Sequence, residues 1–230
     1  MLLIFDLDDT LIETTTFLTQ KKLMKALKAM VNAGLVIHDS ERAQEMLCRM
    51  NLAALSTRDL LEEFVELLGA AEEFVAIGMR EIVKVDLDQY EINSSNEVIE
   101  ILEQLRNDYT LCLVTRGDEK MQREKLHYFG LDTEPSLFSE VIVTPFFDKG
   151  RHYEDLRKKF GFSPHEVVVV GDRIESDLAP AKQMGAVTIH MKKGRGANSM
   201  PNKEIVDYTI YELKELVLVL ELQVKPLEMV

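Results

Sequence analysis

The 230-residue chain has only two cysteines, Cys48 and Cys112, far apart and in no C-x-x-C pairing. Such sparse use is the pattern of buried thiols in a reducing compartment. Basic residues are in deficit: the net charge is −13 and the pI is near 4.9. A nucleic-acid binder would carry a basic stripe, and none is present, so no nucleic-acid partner is expected. The acidic balance favours solubility and says little about fold. Long apolar runs are missing as well. The first acid follows Met1 and the four apolar residues Leu2 to Phe5, with no basic segment ahead of it, so no signal peptide is expected. The longest late run, Leu216 to Leu220, is far too short to span a bilayer. A cytoplasmic protein with no membrane partner is the expectation. The histidines, His38, His127, His152, His165 and His190, show neither H-x-H nor H-E-x-x-H spacing, which argues against zinc. There is no internal repeat and no low-complexity segment.

What is present begins at Met1. Leu2 to Phe5 form a short unbroken apolar run that leads straight into Asp6, Asp8 and Asp9. Such a run reads as a strand buried on both faces, hence a parallel sheet with helices on each side. Acids at its C-terminal end sit where open α/β sheets bind ligands. Two carboxylates placed close together repel unless a cation lies between them or one keeps a proton. Asp6 and Asp8 are therefore candidates for a metal or acid/base site. The alternative, a solvated acidic turn, is a poor account of so dense a cluster.

The chain exceeds the usual single-domain size, so one domain with a sizeable insertion is expected. Its 46% hydrophobic content suffices for a true core. From Thr14 to Asp88 no strand pattern interrupts a series of helices. They are expected over Phe17 to Gly34 with Thr14, Thr15 and Thr16 as N-caps, over Asp39 to Leu52, from a capping box at Ser56 to Leu68, and from Glu72 to about Val85. Beyond Ser95, which should cap a helix to Arg106 with Val98, Ile99, Leu102 and Leu105 buried, strands and helices alternate. Strands are expected at Leu111–Val114, Val141–Thr144, Val167–Val170, Val187–His190 and Tyr208–Ile210. The helices between them cover Lys120–Phe129, His152–Phe160 and Asp177–Met184, with one more at the C-terminus. The expected fold is α/β: a doubly wound, Rossmann-like parallel-sheet core, residues 1–13 and 89–230, carrying an inserted all-helical domain, residues 14–88.

In a parallel sheet the strand ends bring Asp6, Asp8, Thr115, Lys149, Asp172 and Asp177 to one carboxyl edge. Hard oxygen ligands suit Mg²⁺, which binds through a couple of carboxylates and substrate phosphate. A hydroxyl and a lysine suit phosphoryl oxygens. The chemistry suggested is phosphoryl transfer to a carboxylate with a second carboxyl as acid/base.

These residues carry a resemblance to the haloacid dehalogenase-like (HAD) phosphohydrolases over essentially the whole chain. Asp6-Leu7-Asp8-Asp9-Thr10-Leu11 fits the DxDxT motif, Leu111 to Thr115 the hydrophobic strand ending in Ser/Thr, Lys149 the motif-three lysine, and Gly171-Asp172 with Asp177 the acidic fourth motif. The resemblance implies that Asp6 attacks phosphorus and forms an aspartyl-phosphate. Asp8 would protonate the leaving oxygen and later activate water. Mg²⁺ would lie among the Asp6 carboxylate, the Asp8 carbonyl and Asp172, supported by Asp177. Thr115 and Lys149, with the adjoining Arg116 and Gly117, would contact the phosphorylated substrate. The helical insertion corresponds to a C1-type cap that closes over the site and supplies specificity. Arg116 and Gly150 depart from the common pattern. Arg116 reads either as a contact to a substrate carboxylate or second phosphate, or as a solvated arginine at a helix start.

The implied activity is a Mg²⁺-dependent phosphatase for a small phosphorylated metabolite, as monomer or homodimer. A phosphomutase using the same residues, or a catalytically silent phospholigand scaffold, are the alternatives. Lys192-Lys193-Gly194-Arg195-Gly196 lacks the GxxxxGK[ST] pattern and is not a P-loop; a solvated loop is expected there, with a basic rim that attracts anionic substrate as the alternative. Leu216 to Leu222 should pack as a C-terminal helix or strand.

Overall fold

The apolar run Leu2–Phe5 forms strand β1, and all four of its residues are completely buried. The computed structural model of the protein describes residues 1–87, 96–200 and 202–221. The chain separates into two compact units, Met1–Ile12 with Asn93–Val230, and Glu13–Ile92. The expected boundary at residues 88 and 89, the capping role of Ser95 and the end of the Leu216–Leu222 segment lie outside the described residues.

The first unit is built on a six-stranded sheet, ordered β3-β2-β1-β4-β5-β6, in which every pairing is parallel. Its strands after β1 are β2 (Thr110–Arg116), β3 (Glu140–Thr144), β4 (Val167–Gly171), β5 (Val187–Met191) and β6 (Tyr208–Ile210). Val167 to Val170 are fully buried, as a central strand covered on both faces requires. The helices of this unit are α5 (Asn96–Leu105), α6 (Glu119–Tyr128), α7 (Gly150–Phe160), α8 (Ala179–Met184) and α9 (Lys214–Val219); the four helices that precede them in the chain belong to the second unit. Under β1 and β4, Leu2, Ile4, Cys112, Val114, Tyr153, Leu156, Val167 and Val169 form a continuous core. Strand order reverses at β1, between β2 and β4, and such a switch point leaves a crevice at the carboxyl ends of the strands.

The second unit is helical among its described residues: α1 (Gln20–Asn32), α2 (Ser40–Ala53), α3 (Thr57–Leu67) and α4 (Glu73–Ile82). Leu23, Leu27, Met30, Leu47, Leu60, Leu61, Phe64 and Val75 form its core. Asp39 and Ser56 cap α2 and α3 by accepting from the backbone N–H of Arg42 and Asp59.

Several expectations shift. The threonines do not cap the first helix: Thr14–Thr19 already form a wide π-type turn running into α1, with no side-chain cap at its start. The next two helices keep their places. The fourth stops at Ile82. In α5, Ile101 joins Leu102 and Leu105 in the buried stripe, while Val98 and Ile99 are only half-buried. The helix expected from Asp177 begins three residues earlier, as a π-type turn over Ile174–Leu178 ahead of α8. Of the cysteines, Cys112 is buried, but Cys48 is half-exposed and accepts a bond from Gln20 Nε2 at 3.2 Å.

Candidate active site

β1 continues one residue past its last strand position through a bond from Asp6 N–H to the Val170 carbonyl (2.9 Å). The chain then turns sharply: the N–H groups of Thr10, Leu11 and Ile12 all donate to the Leu7 carbonyl. Asp9 takes φ of 60°, a left-handed conformation that aspartate tolerates better than most residues. The turn gives Asp6 and Asp8 different surroundings.

Asp6 is buried. Its Oδ1 accepts from Lys149 Nζ at 2.6 Å, and the same ammonium reaches Asp177 Oδ1 at 2.8 Å. Lys149 stands at the start of α7 and its side chain is 3% exposed. Asp172 follows β4, and Asp177 lies in the turn after it; ligand oxygens of Asp6, Asp172 and Asp177 fall within 4.8 Å of one another. Gly171 permits this approach, because a Cβ there would lie 2.6 Å from the Cβ of Asp177. The Arg173 N–H donates to Asp177 Oδ2 (3.0 Å) and fixes that carboxylate.

Electrostatics follow from the crowding. The Asp6 carboxyl is raised to about 7: burial pushes it up most, Lys149 pulls it down, and Asp177 and Asp8 add to the rise. Burial, then the charges of Asp177, Asp6 and Asp9, hold Asp172 well above the usual carboxylate range. Burial alone would lower the Lys149 ammonium, but Asp177 and Asp6 together outweigh it and hold it above its ordinary value. Asp6 and Asp172, raised by burial and then by neighbouring charges, stand with Asp177 as oxygen donors only, a set that a hard divalent cation fits.

Asp8 faces elsewhere. Its Oδ1 and Oδ2 accept from Lys125 Nζ at 2.7 and 2.9 Å, and Oδ2 also accepts from Gln122 Nε2 at 2.9 Å. Thr115, buried at the end of β2, accepts from the same Gln122 nitrogen at 2.5 Å. Arg116 is exposed, its guanidinium 5.3 Å from the Phe147 ring centroid. Gly117 donates its N–H to the Thr144 carbonyl (3.0 Å). The carboxylates of Asp6, Asp172 and Asp177 thus converge with Lys149, whereas the Asp8 carboxylate and the Thr115 hydroxyl meet through α6.

Gln122, Lys125 and His190 belong to no motif of the sequence. Gln122 and Lys125 share the buried face of α6 with Met121 and Leu126, and a polar residue in such a stripe signals a partner. His190 Nε2 lies 3.0 Å from the Asp172 carbonyl, an acceptor only, so that nitrogen carries the proton. The segment expected as a solvated loop instead packs on the motif residues. A Cβ on Gly194 would fall 2.0 Å from Asp9 Cγ, and one on Gly196 2.0 Å from the Asp172 carbonyl oxygen. Only glycine allows that contact, and a freely solvated loop would not make it.

Residues 1–185 match the model of the haloacid dehalogenase-like hydrolases. The chain belongs to that family. Among similar HAD-like proteins, the glyceraldehyde 3-phosphate phosphatase of Methanocaldococcus jannaschii is 32% identical over 227 residues, covering 94% of each chain. The enzyme of the same name from Pyrococcus furiosus is 28% identical over 94% of this chain and 91% of its own. A predicted phosphoglycolate phosphatase from Haemophilus somnus has the same fold, with a TM-score of 0.72 at 21% identity over 95% of this chain and 96% of its own. The HAD-hydrolase YfnB of Bacillus subtilis, solved bound to magnesium, gives 0.64 at 19% identity over 95% and 97%. This HAD-like chain is an enzyme, a phosphomonoester hydrolase. Among its described residues no helix is long and apolar enough to cross a membrane.

Proposed function

We propose that this HAD-like enzyme hydrolyses a small phosphorylated metabolite through an aspartyl-phosphate on Asp6, with glyceraldehyde 3-phosphate the first substrate to try. The observation that carries the reading is the buried cluster of Asp6, Asp172 and Asp177 bridged by Lys149. Asp6 attacks phosphorus while the bond to the leaving oxygen breaks, and Asp8 gives that oxygen a proton. Water then attacks phosphorus of the acyl phosphate and Asp8 takes its proton, returning to the acid form used in the first step; the bond from phosphorus to Asp6 breaks, which releases inorganic phosphate and restores the Asp6 carboxylate. Lys149 and the Thr115 hydroxyl hold phosphoryl oxygens, and Gly117 lines their approach. Asp6, Asp172 and the Asp8 backbone carbonyl, with Asp177 in support, would hold Mg²⁺, which when bound supplies positive charge to the phosphoryl group. The triose phosphate follows from the names and full-length coverage of the relatives. The helical unit serves as a C1-type cap in this reading, since it lies in sequence between the first and second motifs. Two unpaired cysteines suit a cytoplasmic setting.

The test is phosphate release from a panel of metabolite phosphates and an aryl phosphate, with Mg²⁺ or with EDTA. Mg²⁺-dependent release, fastest for triose phosphates, is the expected result. No release from any ester by the folded, Mg²⁺-loaded protein contradicts the reading.

A further inference from the structure

Three of the hydrogen bonds that hold the Asp8 side chain come from one helix face. Gln122 and Lys125 stand three residues apart on α6, so their side chains project together. The Lys125 side chain is 9% exposed, yet its ammonium takes both carboxylate oxygens of Asp8. The Gln122 amide must present its nitrogen here, because Asp8 Oδ2 and the Arg116 carbonyl accept only. That nitrogen also reaches Thr115 Oγ1, which ties the acid/base to the hydroxyl on the phosphoryl side.

We propose that Lys125, assisted by Gln122, is a positioning residue for Asp8, an inference that rests on the phosphatase reading. An aspartate at a strand end turns about two side-chain torsions among several staggered states. Near Asp8 lies a cluster of three carboxylates suited to a divalent cation, and a loose fourth carboxylate would be drawn to the same cation. Bound there, it could no longer hand a proton to a leaving oxygen. Lys125 occupies both oxygens and turns the carboxylate to α6, while Gln122 keeps it in register with Thr115. The described contacts of Lys125 otherwise offer no reason to bury a lysine at this point in the helix.

Leaving groups separate this role from simple support of the fold. A p-nitrophenolate departs with little need of a proton, whereas an alkoxide depends on one. The value of kcat/KM reports steps up to that departure. Lys125→Met is expected to lower kcat/KM for an alkyl ester such as glycerol phosphate by about 100-fold, and for p-nitrophenyl phosphate about tenfold less. In an Asp8→Asn background the same substitution adds no further loss. Should Lys125→Met not fold, Gln122→Met reads out the same selectivity at smaller amplitude. Equal losses on both esters, or a further loss in the Asp8→Asn background, overturn the proposal while the phosphatase stands. No release from either ester by the unaltered enzyme sinks the phosphatase reading and this one with it.

Discussion

Raising the pH of the metal-free protein should weaken it across a window where most proteins are steady. The Asp6 carboxyl ordinarily titrates at 3.8 and is raised to about 7 in the fold. Between those values the folded state keeps a proton that the unfolded chain has lost, so stability falls as pH rises and is lowest above the folded value. Three units correspond to about 4 kcal/mol at 1.36 kcal/mol per unit, a large part of the ~5–15 kcal/mol that holds a typical domain. Asp172, raised by the same crowding, adds in the same direction. Asp86 and Asp207, whose carboxyls are lowered by lysine and backbone partners, lose stability only as pH falls into the acid range. Chemical denaturation in EDTA from about pH 5 to about pH 8 should show the decline. Added Mg²⁺ displaces the proton, so its stabilising effect grows over the same window. Asp6→Asn should flatten the curve. A metal-free stability that is level across that window, or the same slope in Asp6→Asn, would refute the reasoning.

Two other outcomes follow from the site. Asp172→Asn removes one charge from the acidic cluster, and the Mg²⁺ needed for half-maximal activity should rise about tenfold or more; an unchanged metal titration removes Asp172 from the ligand set. Gly196→Ala places a methyl group on the Asp172 carbonyl; a loss of about 1–3 kcal/mol with lower activity is expected in thermal melts and assays, and a neutral result would mean the segment yields freely.

The frame of the fold was legible because it rests on burial. Leu2–Phe5 and Val167–Val170 are apolar without interruption, and only a central parallel strand needs that. Asp6, Asp172, Asp177 and Lys149 could be listed from strand ends, and the structure brings them together at the carboxyl edge. The contacts of Asp8 could not, since Lys125 and Gln122 come from α6, more than a hundred residues on. Composition also misled at Lys192–Gly196, where glycines and charges look solvated but two glycines fit against Asp9 and Asp172. Thr14–Thr16 resemble caps, yet Thr14 and Thr15 are buried, and tertiary packing sets that turn instead of a side-chain cap. In α5 the hydrophobic spacing points to Val98 and Ile99, whereas the fold buries Ile101 beside Leu102 and Leu105.

The central claim is that Asp6 becomes covalently phosphorylated. Acid-quenching the Mg²⁺-loaded enzyme during turnover of a labelled phosphate ester, then digesting and sequencing, tests it directly. The account predicts alkali-labile label on the peptide containing Asp6, and neither label nor turnover in Asp6→Asn. Turnover that persists in Asp6→Asn, or label that resides on another residue, contradicts it.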